Sequence, residues 1–293
     1  MKIAVFGNTF SMPPEKLRCI RPLLGLTKKD DLELFVDKAF YQYVCEILGM
    51  SPHVSGLIED GESPDDADIA LSIGGDGTFL RTATRIGKRG TPILGINAGH
   101  LGFLADVSGN ETQTVMLEIL AGKYTVEKRT LLKLTTSARR LQGNNYAINE
   151  VAVLKTDNSS MITIHAYINN NYLNSYRADG LLIATPTGST AYSMSVGGPI
   201  IEPTAANFVI SPIAPHSLNT RPLVITDDSI VSLQVGSRNQ RVLISLDGRS
   251  EEFECDVEVT VKKASHSVCM VKRLNHTFYD TIRTKLMWGA DNQ

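Results

Sequence analysis

The sequence has few cysteines, and the four that it has lie far apart. They are Cys19, Cys45, Cys255 and Cys269, and no two of them form a C-x-x-C pair. A zinc site or a disulfide framework needs cysteines at short, regular spacing. We therefore expect reduced thiols, most of them buried, without a functional role.

Long apolar runs and an excess of one charge are also absent. The N-terminal apolar run, 3–6, is too short for a signal peptide, and no later run approaches the roughly 18 apolar residues of a membrane span. The 29 basic and 31 acidic side chains leave a formal net charge of -2, which does not favour a broad basic surface for nucleic acid. We expect a cytoplasmic protein with no membrane or nucleic-acid partner.

The 293 residues, of which 42% are hydrophobic, suffice for about two globular domains. Up to about residue 124, short apolar runs alternate with segments of helical period, which is typical of a doubly wound parallel α/β sheet. The predicted strands are 3–6, 32–36, 69–73 and 92–96, and the predicted helices are 15–26, 38–48, 78–87 and one centred on 115–120 with Asn110 as its N-cap.

After Gly122 the pattern changes to short β-branched runs, which indicates an all-β second domain. Asparagines 169–171 predict a hairpin turn, because asparagine tolerates positive φ. Phe278, Ile282 and Leu286 recur at helical spacing and predict a closing helix that packs back on a neighbour. The predicted strands of this half are 131–136, 147–154, 161–168, 181–184, 207–210, 230–235, 242–246, 257–261 and 268–271.

A glycine loop, Gly74-Gly75-Asp76-Gly77, lies between an apolar strand and the start of a helix. Unpaired backbone N–H groups and the helix dipole favour a phosphate at such a place. The sequence has neither a G-x-x-x-x-G-K-[ST] nor a G-x-G-x-x-G motif, so a P-loop NTPase and a Rossmann dehydrogenase are not supported. Asp76 repels a phosphate unless it holds a metal or takes a proton, and the alternative is that it caps the helix.

Two further segments also follow apolar strands. Residues 97–103, Asn-Ala-Gly-His-Leu-Gly-Phe, lie at the carboxyl end of a strand, where doubly wound sheets bind ligands. Phe103 can stack on a flat ring there or belong to the core. Residues 177–193 run into a loop rich in hydroxyls and glycine, with Tyr192 placed for stacking. Hydroxyl-rich turns are also common in β proteins, so a structural role for this segment stays open.

Taken in order, these motifs resemble the NAD kinase family. They are G-G-D-G at 74–77, N-A-G-H-L-G-F at 97–103, N-E at 149–150, D-G at 179–180, T-P-T-G-S-T-A-Y at 185–192 and G-G-P at 197–199. The resemblance implies an α/β N-terminal domain, a C-terminal β-sandwich-like domain and a C-terminal segment that returns to the first domain. We accordingly predict an α/β domain with the phosphate loop at 1–124 plus 275–293, and an all-β NAD-binding domain at 125–274.

The resemblance also implies an enzyme that phosphorylates the 2′-hydroxyl of the adenosine ribose of NAD with ATP, giving NADP and ADP. Asp76 matches the general base, and Gly74, Gly75 and Gly77 match the phosphate loop. The reaction requires Mg²⁺ or Mn²⁺, which we expect to arrive with ATP rather than in a metal site of the protein. The family's assemblies suggest a homodimer or homotetramer. The alternatives are a lipid kinase of the G-G-D-G superfamily and a non-catalytic dinucleotide sensor.

The resemblance further assigns residues that hold NAD. Asn149 and Thr190 suit the polar edge of adenine, and Glu150 suits a ribose hydroxyl. Asp179 matches a contact to the nicotinamide side, often of a neighbouring subunit, and Arg177 is assigned a phosphate contact or an effect on the choice between NAD and NADH. The other positions that match NAD contacts are Phe103, Thr187, Ala191 and Tyr192.

Overall fold

The structure is a computed structural model, and it falls into two compact units. One unit comprises Met1–Lys128 with Val268–Gln293, and the other comprises Arg129–Ser267. The division that we predicted, 1–124 with 275–293 against 125–274, stays a prediction, as do the roles assigned to the halves. The structure describes residues 1–9, 20–26, 32–62, 64, 66–99, 101–138, 141–157, 160–236 and 240–289.

The first unit is built on a parallel sheet, with the strand order β3-β2-β1-β4-β5-β6. Every residue of β4 and β5 is buried, as expected for central strands covered on both faces. The predicted doubly wound α/β fold is confirmed. The elements are β1 (Lys2–Gly7), α1 (Ile20–Leu26), β2 (Glu33–Asp37), α2 (Lys38–Leu48), β3 (Gly56–Ile58), β4 (Ile69–Ile73), α3 (Asp76–Ile86), β5 (Ile93–Asn97), β6 (Val107–Ser108) and α4 (Thr112–Leu120).

Three predicted helix boundaries differ from the structure or lie outside it. Of the predicted helix 15–26, residues 20–26 are helical and 15–19 lie outside the described residues. Helix α3 begins at Asp76 rather than Thr78, with Gly75 as its N-cap. Asn110 is not the cap before α4, because Ser108 and Glu111 cap a short 3₁₀ turn there reciprocally. An S-x-x-E pair satisfies two backbone N–H groups at once, which a single asparagine does not.

The second unit contains sheets of antiparallel strands. One sheet has the order β14-β13-β12-β9-β16-β17, and the other pairs β11, β10, β15 and the start of β18. Side chains of both sheets form one buried cluster, so the β-sandwich-like prediction is confirmed. The elements are β7 (Tyr124–Thr136), β8 (Tyr146–Ala147), β9 (Glu150–Lys155), β10 (Ile162–Ile168), β11 (Asn171–Ala178), β12 (Gly180–Ala184), α5 (Tyr192–Ser195), β13 (Asn207–Ile213), β14 (Leu223–Thr226), β15 (Val231–Gly236), β16 (Arg241–Leu246), β17 (Arg249–Glu254) and β18 (Glu258–Arg273).

The sequence patterns missed some of these strands and merged or divided others. Strands β11 and β17, which carry many polar residues, and the short, largely exposed strand β14 were not predicted. The predicted strand 147–154 is broken between β8 and β9, and the predicted strands 257–261 and 268–271 are parts of β18. The Asn169-Asn170 turn is confirmed, with φ of 50° and 64° between β10 and β11.

The closing helix α6 (Phe278–Leu286) belongs to the first unit, as predicted. It begins with a reciprocal cap between Thr277 and Asp280. Among the described residues, no helix has the length and apolar character needed to cross a membrane. Cys45, Cys255 and Cys269 are not in disulfides, but each is partly exposed, so the expectation of burial is wrong for them. Cys19 lies outside the described residues.

Candidate active site

The glycine loop connects β4 to α3 in the first unit. The Gly74 N–H donates to the Ile96 carbonyl (2.9 Å), and a Cβ at Gly74 would lie 2.3 Å from Thr78 Oγ1. The N-cap, Gly75, offers no side-chain acceptor to the first turn of α3. Among the described residues, nothing would lie within 4 Å of a Cβ at Gly75 or Gly77. The loop therefore leaves open space beside N–H groups at a helix N-terminus, which suits an anion.

Asp76, the first residue of α3, joins this loop to the next motif. Its carboxylate accepts hydrogen bonds from the backbone N–H groups of Phe103 (3.0 Å), Leu104 (2.9 Å) and Ala105 (3.0 Å). Gly102 makes this approach possible, because a Cβ there would lie 1.9 Å from Asp76 Oδ1. The capping alternative for Asp76 is wrong, since Gly75 occupies the N-cap and Asp76 bonds a different loop. The Asp76 side chain is nevertheless 31% exposed.

Asn97 begins and Phe103 ends the 97–103 motif, and both have defined contacts. Asn97 is buried, and its side-chain oxygen accepts from the Gly99 N–H, which holds the chain reversal after β5. The half-buried Phe103 ring lies 6.4 Å from the Phe278 ring, centroid to centroid. Lys285 Nζ is 4.4 Å from the Phe103 centroid and 3.8 Å from Asp76 Oδ2. His100 lies outside the described residues. From the sequence, Phe278 was used only to predict the closing helix, and Lys285 was not singled out.

In the second unit, a second aspartate holds the Asn149-Glu150 pair in the same way. The Asp247 carboxylate accepts from the N–H groups of Ile148 (2.8 Å), Asn149 (2.8 Å) and Glu150 (3.1 Å). Asp247 lies in the turn between β16 and β17, with φ of 48°. Sequence reasoning missed this residue, although the Asp247-Gly248 dipeptide between two strands is a hairpin signal.

Glu150 is a buried acid with a raised pKa. It is 9% exposed, and its buried Oε2 atom has no hydrogen-bond partner among the residues that the structure describes. Burial raises the pKa of Glu150 to about 8, the Asp247 charge adds to the rise, and a hydrogen bond from the Tyr192 N–H opposes it. Burial also raises the pKa of Asp247, against the lowering effect of its three backbone N–H partners. Two adjacent acids thus share a site of low solvation.

The hydroxyl-rich loop packs directly on the Asn149-Glu150 pair. The Thr185 hydroxyl donates to the Ile148 carbonyl and accepts from the Gly188 N–H (3.0 Å), while the Thr185 N–H donates to the Asn149 carbonyl (2.9 Å). A Cβ at Gly188 would lie 2.0 Å from that carbonyl oxygen. The structure thereby brings together six of the predicted residues. They are Asn149, Glu150, Thr187, Thr190, Ala191 and Tyr192.

Two of these side chains, Tyr192 and Thr187, have features that bear on ligand binding. Tyr192 is 38% exposed at the start of α5. Thr187 is buried, and its hydroxyl has no hydrogen-bond partner within the described part of the chain. A buried hydroxyl without a partner is costly, so a polar group supplied from outside would be stabilised there.

Arg177 and Asp179 do not join that group within one chain. Asp179 directly precedes β12, whereas the hydroxyl-rich loop follows its last residue, Ala184, so five strand residues of about 3.3 Å each separate them. The Asp179 carboxylate pairs with Lys155 Nζ at 2.7 Å. Arg177 is exposed on β11.

Comparison with known proteins identifies the family of this chain. The family described as ATP-NAD kinase N-terminal domain matches residues 59–124, and that described as ATP-NAD kinase C-terminal domain matches residues 148–273. An NAD kinase of Bacteroides fragilis is 48% identical over 293 residues, covering 100% of both chains. The chain belongs to the ATP-NAD kinase family. The resemblance found in the motifs is confirmed, and with it the assignment of an enzyme.

Other relatives agree with this membership. An NAD kinase of Porphyromonas gingivalis is 43% identical over 289 residues, with 99% of this chain and 98% of the relative covered. The fold matches yeast NADH kinase complexed with NADH, at a TM-score of 0.86 and 22% identity over 100% of this chain and 89% of that one. It also matches an NAD kinase from Archaeoglobus fulgidus in complex with ATP, at a TM-score of 0.74 and 24% identity over 99% and 98%. A lipid kinase and a non-catalytic sensor therefore lose their support.

Proposed function

We propose that this kinase transfers the terminal phosphoryl group of ATP to the 2′-hydroxyl of the adenosine ribose of NAD, with Asp76 as the general base. The proton passes from the hydroxyl to the Asp76 carboxylate, the hydroxyl oxygen bonds to the γ-phosphorus, and the bond from that phosphorus to ADP breaks. The observation that carries the proposal is Asp76 itself. Its carboxylate is held by three N–H groups yet remains 31% exposed beside the glycine loop.

The donor phosphates are assigned to the glycine loop. Gly75 and Gly77 leave space, as far as the described residues go, beside the N-terminus of α3, so a phosphate chain can approach the backbone closely. ATP is proposed to bind as its Mg²⁺ or Mn²⁺ complex, and no residue of this chain is assigned as a ligand of that ion. Within the described ranges, no three His, Cys, Asp or Glu side chains converge.

NAD is assigned to the loops that Asp247 and Thr185 hold together. Asn149 and Thr190 are proposed to bind the polar edge of adenine, Glu150 a ribose hydroxyl, and Tyr192 a ring face. Thr187 and Ala191 complete these loops, and Phe103 is proposed to contact the nucleotide from its own loop. The unpaired Thr187 hydroxyl and Glu150 Oε2 support the assignment, because both lack partners within the described chain.

Asp179 and Arg177 are proposed to contact the nicotinamide side or a phosphate of NAD bound to a neighbouring subunit. Their place at the opposite end of β12 from the other NAD residues supports this, since one chain does not bring the two sets together. The proposal requires a homodimer or homotetramer. Sedimentation of the purified protein tests that requirement, and a monomer with full activity would contradict it.

The reaction itself is tested by offering the pure protein ATP with NAD, and ATP with diacylglycerol, and measuring NADP and phosphatidic acid. We expect NADP alone. An Asp76→Ala variant, prepared identically, controls for a contaminating kinase, and NADP formation that survives this change would remove Asp76 from the mechanism.

We expect Tyr192→Ala to raise the KM for NAD by roughly 5- to 150-fold, corresponding to about 1–3 kcal/mol for a lost stacking contact. The kcat should fall less, because the ring is proposed to hold the nucleotide in the ground and transition states alike. The backbone N–H that bonds Glu150 is unchanged by this substitution. Steady-state kinetics with NAD varied measure the effect.

Tyr172→Ala is the matched control, since Tyr172 is another exposed tyrosine of the second unit, 60% exposed. It should leave the KM for NAD unchanged. Because Tyr192 is 38% exposed, its loss should change the thermal midpoint little. A well-folded Tyr192→Ala protein with the wild-type KM would place this ring outside the NAD site.

The raised pKa of Glu150 predicts that the stability of the folded protein depends on pH. Because its pKa is raised to about 8, the folded protein keeps a proton here that the unfolded chain has released above its ordinary pKa of 4.5. This contribution is complete below the unfolded value and is lost as the pH rises through about 8. Glu150→Gln should therefore gain about 2–3 kcal/mol relative to wild type between pH 6 and pH 9. Urea unfolding of both proteins without NAD measures the difference.

Glu46→Gln, at an exposed position of α2, controls for removal of a carboxylate as such. The same pH response in the wild type and the Glu150 variant would show that Glu150 is ionised at neutral pH.

A further inference from the structure

The closing helix places a cation over the phosphate loop of the first unit. Helix α6 contacts Phe103 through Phe278 near its start, and through Lys285 near its end. Lys285 Nζ is 4.4 Å from the centroid of the Phe103 ring and 3.8 Å from Asp76 Oδ2. The aromatic ring holds the ammonium by a cation–π contact, so its position does not depend on Asp76 alone.

The distance to Asp76 shows that Lys285 is not fully engaged there. Charge-assisted hydrogen bonds between an ammonium and a carboxylate are about 2.7–2.9 Å long. Lys155 and Asp179 make such a contact at 2.7 Å in this chain, whereas Lys285 and Asp76 are 3.8 Å apart. The Lys285 side chain is 32% exposed, and its ammonium has three N–H donors to offer. It is therefore positioned near Asp76 with donors left for another acceptor.

The glycine loop carries the negative charge of Asp76, so a nearby cation would lower the repulsion between this loop and a bound triphosphate. The three N–H groups that hold Asp76 are neutral, so they leave the carboxylate charge in place. A triphosphate donor beside an ionised carboxylate meets like-charge repulsion. In Walker A loops a lysine of the motif reaches the β- and γ-phosphates, but this sequence has no such motif.

We infer that Lys285 binds the terminal phosphate of the nucleoside triphosphate donor and offsets the charge of Asp76. The inference rests on the proposed function, which places the donor phosphates at the glycine loop. According to this inference, α6 is part of the donor site. Replacing Lys285 should then weaken the binding of ATP and leave the binding of NAD unchanged. If Lys285 only anchored α6, its replacement would not affect ATP and NAD differently.

The test compares Lys285→Met with Lys285→Arg and Arg283→Gln. Methionine keeps an unbranched stem over Phe103 and removes the charge, while arginine keeps the charge and stacks on aromatic rings. Arg283 is the matched control, because it lies on the same helix and pairs with Asp280 of that helix. The measurements are kcat, the KM for ATP and for NAD, and the Kd of a non-hydrolysable ATP analogue by titration calorimetry with Mg²⁺ present.

We expect Lys285→Met to raise the Kd of the ATP analogue and the KM for ATP by roughly 10- to 100-fold, as for a lost hydrogen bond to a charged group. The KM for NAD should stay within about twofold, and Lys285→Arg should recover most of the loss. In wild type, added salt should raise the KM for ATP more steeply than in the Met variant, since one charge contact is gone.

Analogue affinity within threefold of wild type in folded Lys285→Met protein would overturn the inference, as would an equal loss in Arg283→Gln. If the Met variant does not fold, Lys285→Gln is measured under the same criteria. The Asp76→Ala variant separates the two proposals: activity that survives it rejects the proposed function, whereas an essential Asp76 with an unaffected Lys285→Met rejects only the role of Lys285.

Discussion

Removal of divalent cations is expected to abolish NADP formation, and Mg²⁺ or Mn²⁺ is expected to restore it. The proposed reaction would expose the Asp76 carboxylate to the negative charge of the substrate phosphates, and a single ammonium from Lys285 would not balance that charge. A divalent ion that bridges donor phosphates lowers the repulsion and stabilises the charge that develops on the transferred group. Turnover by chelated protein should fall to the background of the assay.

The ion should arrive with ATP rather than remain with the protein. Chelation should then leave the thermal midpoint of the ATP-free protein unchanged, and elemental analysis of dialysed protein should find much less than one metal per chain. Addition of Mg²⁺ in excess of the chelator is the reversal control. Full activity after exhaustive chelation would contradict the prediction, and so would one tightly held metal per chain.

Asp76→Asn is expected to lower kcat by about 10²–10⁴, the usual cost of losing a general base. The amide cannot take the proton from the 2′-hydroxyl, while NAD affinity should stay within roughly tenfold. The structure adds a second expectation. Asp76 Oδ1 accepts from Leu104 and Ala105 and Oδ2 from Phe103, so an asparagine NH₂ must face at least one N–H. We expect the loss of that hydrogen bond to destabilise the protein by about 1–3 kcal/mol.

Asp247→Asn is the matched control for this structural cost. Asp247 also accepts three backbone N–H groups on its two oxygens, but it holds the Asn149-Glu150 pair and is not proposed as a base. We expect a similar loss of stability, with the kinetic effect mainly on the KM for NAD and not on kcat. The catalytic assignment of Asp76 is falsified if its Asn variant keeps a kcat within about tenfold of wild type, or if both variants lose kcat equally.

Much of the fold could be predicted because its signals are local. The parallel sheet follows from apolar runs that are buried on both faces, and helix α2 matches its predicted range of 38–48. The Asn169-Asn170 turn follows from the φ values that asparagine tolerates. Strands β11 and β17 escaped prediction because hydrogen bonds to neighbouring strands, rather than an apolar pattern, place them in a sheet. Strand β14 has only four residues, most of them exposed, and its pairing with β13 makes it a strand.

The candidate site also has a part that could be predicted from the sequence and a part that could not. The positions of Asp76, Asn149, Glu150 and the hydroxyl-rich loop were predicted from motifs, because each motif is a short run with fixed spacing. Their assigned roles in NAD binding and catalysis remain predictions. The alternative that Asp76 caps its helix stayed open in the sequence because the residues near Asp76 along the chain do not reveal its partners, which are the N–H groups of residues 103–105.

By itself the sequence determined the two types of fold, the family and the identity of the motif residues, since all of these depend on runs of neighbouring residues. Only the tertiary structure showed that Asp247 holds the Asn149-Glu150 pair, that burial raises the pKa of Glu150, and that Lys285 lies over Phe103 beside Asp76. The physical reason is that hydrogen bonding, desolvation and charge act across a few ångströms of space, and residues far apart along the chain meet at those distances only after folding.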